Sequence, residues 1–203
     1  MAERGRLAKS MRFRPLTSER WVDFARLFGT QGACDGCWCM WWRQTRAQFA
    51  ARRGGRNRQG MKRVVASGRV PGILAYVGNE AVGWCSIAPR EEYGALERSR
   101  VLRRVDDQPV WSIVCLFVAD GYRGRGVAGA LVRAAAQYAA SGGAQIVEAY
   151  PSVPPSAGTG GISGFMGVPQ LYERLGFREV ARPSQAKVVM RLRVARSDLL
   201  PPN

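Results

Sequence analysis

Glycines alternate with arginines in Asp120-Gly121-Tyr122-Arg123-Gly124-Arg125-Gly126-Val127-Ala128-Gly129. Glycine lets a backbone curl tightly and leaves no side chain in the way of a ligand. A helix that follows such a turn presents unpaired N–H groups and the positive end of its dipole. The pattern therefore suits an anion, and a pyrophosphate in particular. Arg123 and Arg125 can add charge-assisted bonds. The competing reading is a tight strand-to-helix turn that uses glycine only for packing. The segment is not a P-loop, because no Gly-Lys-Ser/Thr closes it, and it lacks the spacing of a dinucleotide fingerprint.

The other chemistry is bounded by an absence. The chain contains no histidine. Ser-His-Asp and Cys-His catalysis and His-ligated metals are excluded, so acid–base work falls to Glu, Asp, Tyr, Cys, Lys or a terminus. Glu148 stands alone among apolar neighbours in Ile146-Val147-Glu148-Ala149-Tyr150. Burial disfavours the charged form of a carboxylate and suits it to proton exchange. The alternative is a carboxylate on a solvent face, or one paired with an arginine. Cys34, Cys37 and Cys39 crowd a segment that also holds Trp38, Met40, Trp41 and Trp42. A zinc site would need four ligands, or three for catalysis. With Cys85 and Cys115 in expected strands and no histidine, the expectation is no metal. The cysteines then serve as small apolar fillers while the indoles pack helices onto a sheet.

These groups need a frame. Arg12–Leu16 reads as a strand, and helical spacing follows in Trp21, Phe24, Ala25 and Phe28. Helices are expected near Gln44–Arg53 and Arg56–Ser67. A hairpin spans Ile73–Val77 and Ala81–Ala88 around Gly78-Asn79-Glu80. Residues 90–108 are charged and irregular. Val110–Ala119 is nearly all apolar, as a strand buried on both faces must be. Ala128–Ala140 is a helix and Gln145–Tyr150 a strand. A Pro/Gly/Ser-rich loop, Pro151–Gly167, has the composition of a lid, with Phe165 and Met166 as its apolar foot. A short helix, Val168–Leu175, precedes strands at Phe177–Arg182 and Lys187–Val194. The order is α/β in class.

Two motifs carry a resemblance. Arg123-Gly124-Arg125-Gly126-Val127-Ala128 resembles the Arg/Gln-x-x-Gly-x-Gly/Ala motif of the GCN5-related N-acetyltransferases (GNAT), and Leu171-Tyr172-Glu173-Arg174-Leu175-Gly176-Phe177 resembles their Leu-Tyr-x-x-x-Gly-Phe signature. The likeness covers roughly residues 70–194 well, and residues 1–69 only in the order of strand then helices. It implies a single-domain fold over 1–194, with 1–69 bordering the acceptor site, 70–194 as the cofactor-binding core and 195–203 as a tail. The implied sheet is central, mixed and mostly antiparallel, with strands 4 and 5 splayed and helices on both faces.

The implied activity is transfer of the acetyl group of acetyl-CoA to an amine, by direct attack in a ternary complex. Leu116, Phe117 and Val118 would lie beside the pantetheine arm. Arg123, Gly124, Arg125, Gly126, Val127, Ala128 and Gly129 would hold the diphosphate. Tyr172 is the implied general acid, and Glu148 the candidate base. Trp38, Trp41, Tyr150 and Phe165 are candidates for an apolar wall around the acceptor. An Asn that many relatives carry after the fifth strand is missing here: Pro151-Ser152-Val153-Pro154-Pro155 stands instead.

The net charge is +16, and residues 1–70 hold sixteen basic against four acidic residues. Such a chain attracts polyanions. Only three of the 31 basic residues are Lys, which points to an arginine-rich solvated surface, and nucleic acid is not the expected partner. A nucleic-acid module and a CoA-ester sensor on the same fold remain the alternatives. The acceptor can be a small molecule or a peptide amine, and a homodimer is compatible with the family. Five cysteines and no apolar run long enough to span a bilayer give the expectation of a cytoplasmic protein with no membrane role.

Overall fold

The computed structural model describes residues 11–154 and 164–195. One mixed sheet organises them. Its strands are β1 (Met11–Pro15), β2 (Gly72–Val77), β3 (Glu80–Pro89), β4 (Trp111–Val118), β5 (Ile146–Ala149), β6 (Arg178–Ser184) and β7 (Lys187–Arg193), in the spatial order β1-β2-β3-β4-β5-β7-β6. Every neighbouring pair is antiparallel except β4 and β5. The helices are α1 (Trp21–Phe28), α2 (Arg46–Ala51), α3 (Gly55–Ala66), the single turn α4 (Gly94–Glu97), α5 (Val127–Ser141) and α6 (Pro169–Glu173). The α/β order expected above is the one observed, with element ends moved by a residue or two.

The helices cover both faces. α5 buries Val127, Leu131, Val132, Ala135 and Ala139 against one face of the sheet. On the other face, α1 and the following segment set Trp21, Phe24, Phe28 and Trp38 around Trp84 of β3. Alternation along a strand explains how β4 serves both layers. Leu116 and Val118 pack with the α5 layer, while Cys115 and Phe117 pack with the aromatic layer.

The parting of β4 and β5 is written in the register. They pair only at Trp111↔Val147, Ser112↔Glu148 and Ile113↔Ala149. β4 runs on to Val118, whereas β5 ends at Ala149. Two local causes coincide there. The β3–β4 register slips between Ser86↔Cys115 and Ile87↔Ile113, which leaves Val114 as an extra residue that bends β4. After β5, Pro151 has no N–H to give a ladder. The chain stays instead with β7, through a Ser152↔Lys187 bridge and a Val153 N–H to Ala186 C=O bond of 3.0 Å. A gap therefore opens from Val114 onward.

Candidate functional site

A glycine-rich turn stands at one end of the gap. After β4 the chain makes a short turn at Asp120–Tyr122 and enters α5 through Gly126. Gly124 and Gly126 are left-handed, with φ of +71° and +88°. A Cβ added to either, or to Gly121, would meet nothing within 4 Å. These glycines thus leave open space beside the first N–H groups of a 15-residue helix. Packing does not demand them, so the turn fits an incoming anion. Arg123 borders it, donating from Nε to Val118 C=O at 3.0 Å and pairing with Asp120 at 2.7 Å.

The edge of β4 lines the middle of the gap. Ala119 N–H donates to Val82 C=O of β3 at 2.9 Å. By the alternation of an antiparallel ladder, Phe117 also turns its backbone to β3, while Leu116 and Val118 turn theirs into the gap. Residues 116 and 118 therefore present backbone N–H and C=O groups to the gap.

A cavity of about 430 Å³ lies where the strands part. Val114 and Cys115 of β4 form its floor, with Trp41, Trp42, Phe49 and Phe165 among its walls. Trp41 is 44% exposed and stands edge-on to Phe49, with ring centroids 4.8 Å apart. Lys187 reaches the cavity from β7; its ammonium donates to Ser152 Oγ at 2.7 Å, and burial pushes its pKa down. Sequence reasoning missed Lys187, because a lysine opening a β-hairpin strand carries no local signal.

Tyr172 lies on α6, started by Pro169 at its first position. Its ring is fully buried and meets Phe177 edge-on at 5.2 Å. The phenol donates to Met166 C=O at 3.0 Å. Burial raises its pKa well above the ordinary value, with the Cys85 and Cys115 thiols adding to the effect. At neutral pH it keeps its proton and can only donate from it.

Glu148 has a different setting from that of a free base. It is 1% exposed. Oε1 accepts from Arg90 Nη1 at 3.0 Å and from the Tyr150 hydroxyl at 2.6 Å, while Oε2 accepts from Arg191 Nε at 2.7 Å. Of the two readings left open for it, the arginine-paired one describes this geometry. No side of the carboxylate faces the cavity wall described above. Tyr150, expected beside the acceptor, is likewise fully buried, and its hydroxyl also meets Ser112 Oγ at 2.7 Å and Arg90 at 2.8 Å. Arg90 further donates to Leu102 C=O at 2.7 Å and to Glu97. The network ties the irregular 90–108 stretch to the start of the gap.

Trp38, expected on the acceptor wall, lies in the aromatic layer. It is 3% exposed and stacks with Trp21 and Phe28 at centroid distances of 6.4 and 5.7 Å, away from the cavity. Gly32 permits this, since a Cβ there would sit 2.2 Å from the indole Nε1. Trp38 and Cys39 have φ of +43° and +53°, so the backbone reverses locally and sends Trp38 inward and Trp41 outward. Cys34, Cys37 and Cys39 do border the cavity, together with Cys115. Among the described residues, no group of three or more His, Cys, Asp or Glu is arranged to hold a metal ion. No described helix is long and apolar enough to cross a membrane.

Comparison with known proteins gives the family and the fold. The chain belongs to the acetyltransferase (GNAT) family, whose profile matches residues 36–159. The match starts well before the 70–194 core and stops short of Leu171–Phe177. No curated protein matches the chain in sequence. Solved structures share the fold at low identity. A putative GNAT acetyltransferase from Desulfovibrio desulfuricans aligns with a TM-score of 0.53 and 15% identity, covering 91% of this chain and 99% of its own. The PaiA N-acetyltransferase of Thermoplasma acidophilum, solved with coenzyme A, gives 0.53 at 11% identity over 91% and 99%. An agmatine N-acetyltransferase mutant in its apo form gives 0.53 at 15% identity over 91% and 100%. The chain spans 33% of the length of a GCN5-related N-acetyltransferase from Kribbella flavida, at 17% identity and a TM-score of 0.47.

Proposed function

We propose that this protein transfers the acetyl group of acetyl-CoA to an amine by direct attack within a ternary complex. One observation carries the reading. An open glycine cradle at 124–126 leads, along the edge of β4 beyond its last pair with β5, to an aromatic cavity at the point where β4 and β5 part. An extended thioester with a diphosphate at its far end matches that path. The family and the fold of a coenzyme A complex agree with it.

Acetyl-CoA, when bound, supplies an activated thioester carbonyl. The first N–H groups of α5, with Arg123 and Arg125 beside them, hold the diphosphate. Leu116 and Val118 bond the arm through their backbone. Trp41, Trp42, Phe49 and Phe165 set apolar surface around the acceptor and so favour the neutral amine that attacks. A cation–π contact with Trp41 would hold the amine while it is still charged. Tyr172 exchanges its bond to Met166 C=O for one to the departing sulfur. Glu148, enclosed by Arg90 and Arg191, positions β5 and does not take the amine proton, which leaves to water.

The test is thiol release from acetyl-CoA across a panel of small amines, peptide N-termini and lysine peptides, with wild type and Tyr172→Phe. Release with at least one amine supports the reading. Saturable coenzyme A binding with no release from any amine would instead favour a CoA-ester sensor. The Tyr172→Phe variant should lose about 10²-fold or more in kcat, the usual scale for a general acid.

A further inference from the structure

Four of the five cysteines border one cavity, and acetyl transfer by direct attack uses none of them. Their arrangement is specific. Cys39 Sγ lies 3.2 Å from Cys115 Sγ, across 76 residues of sequence. Cys37 and Cys39 line the same cavity two residues apart. The backbone around them is held in rare conformations: Ala33, Asp35, Trp38 and Cys39 all have positive φ. Non-glycine residues in that region cost energy and concentrate at functional sites.

The Cys37 thiol donates to Gly32 C=O at 3.5 Å within the turn. The Cys39 side chain is the largest influence lowering the Cys37 pKa, with smaller ones from the backbones of Cys39, Cys34 and Cys37. Together they outweigh burial and draw its pKa down to about 6, which favours the thiolate. Cys39 is 5% exposed, and burial raises its pKa. A low-pKa thiol on a cavity wall, next to a second thiol, has the makings of a peroxide-reactive pair. Cys34 is exposed, but burial and the charges of Cys37 and Asp35 raise its pKa.

We propose that Cys37, Cys39 and Cys115 form a hydroperoxide-reactive relay that ends in a Cys39–Cys115 disulfide on the floor of the acceptor cavity. The Cys37 sulfur attacks the hydroperoxide. An S–O bond forms, the O–O bond breaks, and the alcohol (water, for hydrogen peroxide) leaves with a solvent proton. Cys37, oxidised by two electrons, becomes a sulfenic acid. The Cys39 sulfur then attacks Cys37, and hydroxide leaves as water with the Cys39 proton. Finally the Cys115 sulfur attacks Cys39, Cys37 departs as thiolate, and the Cys115 proton passes to solvent or to Cys37. Overall, two thiols and one hydroperoxide give one disulfide, one alcohol and one water.

The product fastens the 32–42 segment to β4 beside Val114, where the bulge opens the gap. The relay does not depend on acetyl transfer, and its test reads sulfur directly. The full chain is treated with equimolar hydrogen peroxide, quenched with N-ethylmaleimide and mapped by mass spectrometry without reduction. The expected result is a Cys39–Cys115 cross-linked peptide that dithiothreitol reverses.

The rate should fall at least tenfold in Cys37→Ser. In Cys115→Ser the reaction should halt at a Cys37–Cys39 disulfide. In Cys39→Ser, dimedone should trap Cys37 as its sulfenic acid. The variants are first checked for native tryptophan fluorescence; should Cys39→Ser unfold, the Cys115→Ser arm still decides. Oxygen addition at Cys34 alone, or a Cys37→Ser rate equal to wild type, would overturn the relay. Coenzyme A binding on the same samples keeps this outcome separate from the fate of the acetyltransferase reading.

Discussion

Glu148 and Arg90 face each other at 3.0 Å, and each side chain is only 1% exposed. A second guanidinium, Arg191, closes the other carboxylate oxygen at 2.7 Å. Removing one partner of such a cluster leaves buried charge without compensation. Glu148→Ala should therefore cost about 3–5 kcal/mol of stability, read from the shift in urea midpoint. Its remaining activity, normalised to folded protein, should keep the pH dependence of wild type. A Glu148→Gln variant of wild-type stability whose rate no longer falls at low pH would make the carboxylate a base after all.

Neighbouring tryptophans should behave in opposite ways. Trp38 lies in the aromatic core, and Trp38→Ala should lose about 3–5 kcal/mol, as large core truncations do. Trp41 stands half in solvent on the cavity wall. Trp41→Ala should change stability by less than about 1 kcal/mol while raising the KM for the amine severalfold. Thermal melts and acceptor titrations separate the two. Equal acceptor KM in Trp41→Ala and wild type would remove Trp41 from the acceptor site.

Why these outcomes were legible to different degrees follows from the range of the signals. The glycine cradle and the Tyr172 helix are contiguous motifs, so the sequence shows them directly. The apolar run 110–119 likewise announces a buried strand. The partner of Glu148 is 58 residues away, in a charged stretch with no periodicity, so the local pattern Ile-Val-Glu-Ala-Tyr leaves base and ion pair equally open. Trp38 and Trp41 look alike in sequence. Only the left-handed turn at Trp38 and Cys39 decides which one faces inward. The Cys39–Cys115 contact joins a loop to a strand, and neither segment signals the other.

Gly126 offers a test in which strain and binding can be told apart. Its φ is +88°, and an added Cβ would meet no protein atom within 4 Å. Gly126→Ala should therefore cost roughly 1–2 kcal/mol from the backbone alone, with nothing lost to packing. The methyl would, however, project into the space offered to the diphosphate. Coenzyme A affinity by calorimetry should fall by more than tenfold, whereas affinity for a pantetheine thioester lacking the diphosphate should hardly move. An equal loss for both ligands would put the diphosphate elsewhere.

The lowered pKa of Cys37 gives a pH prediction that can be followed on one sulfur. Around it stand Cys34, Asp35, Cys39 and Cys115, with Arg46 from α2 and Lys187 from β7 on the same cavity. Its thiol titrates near 6, so iodoacetamide labelling at Cys37 should rise about tenfold per pH unit below that value and level off above it. Cys34 should label only at higher pH, because its pKa is raised by burial. The folded chain gives up the Cys37 proton before the unfolded chain does. This group thus contributes stability that is fully present above the unfolded value of about 9 and is lost as pH falls through about 6. The Cys39 thiol is the largest cause of the shift, so Cys39→Ala should move the labelling midpoint upward by roughly one pH unit or more, toward an ordinary cysteine. A wild-type midpoint already at that ordinary value would show that the turn at 32–39 does not stabilise a thiolate.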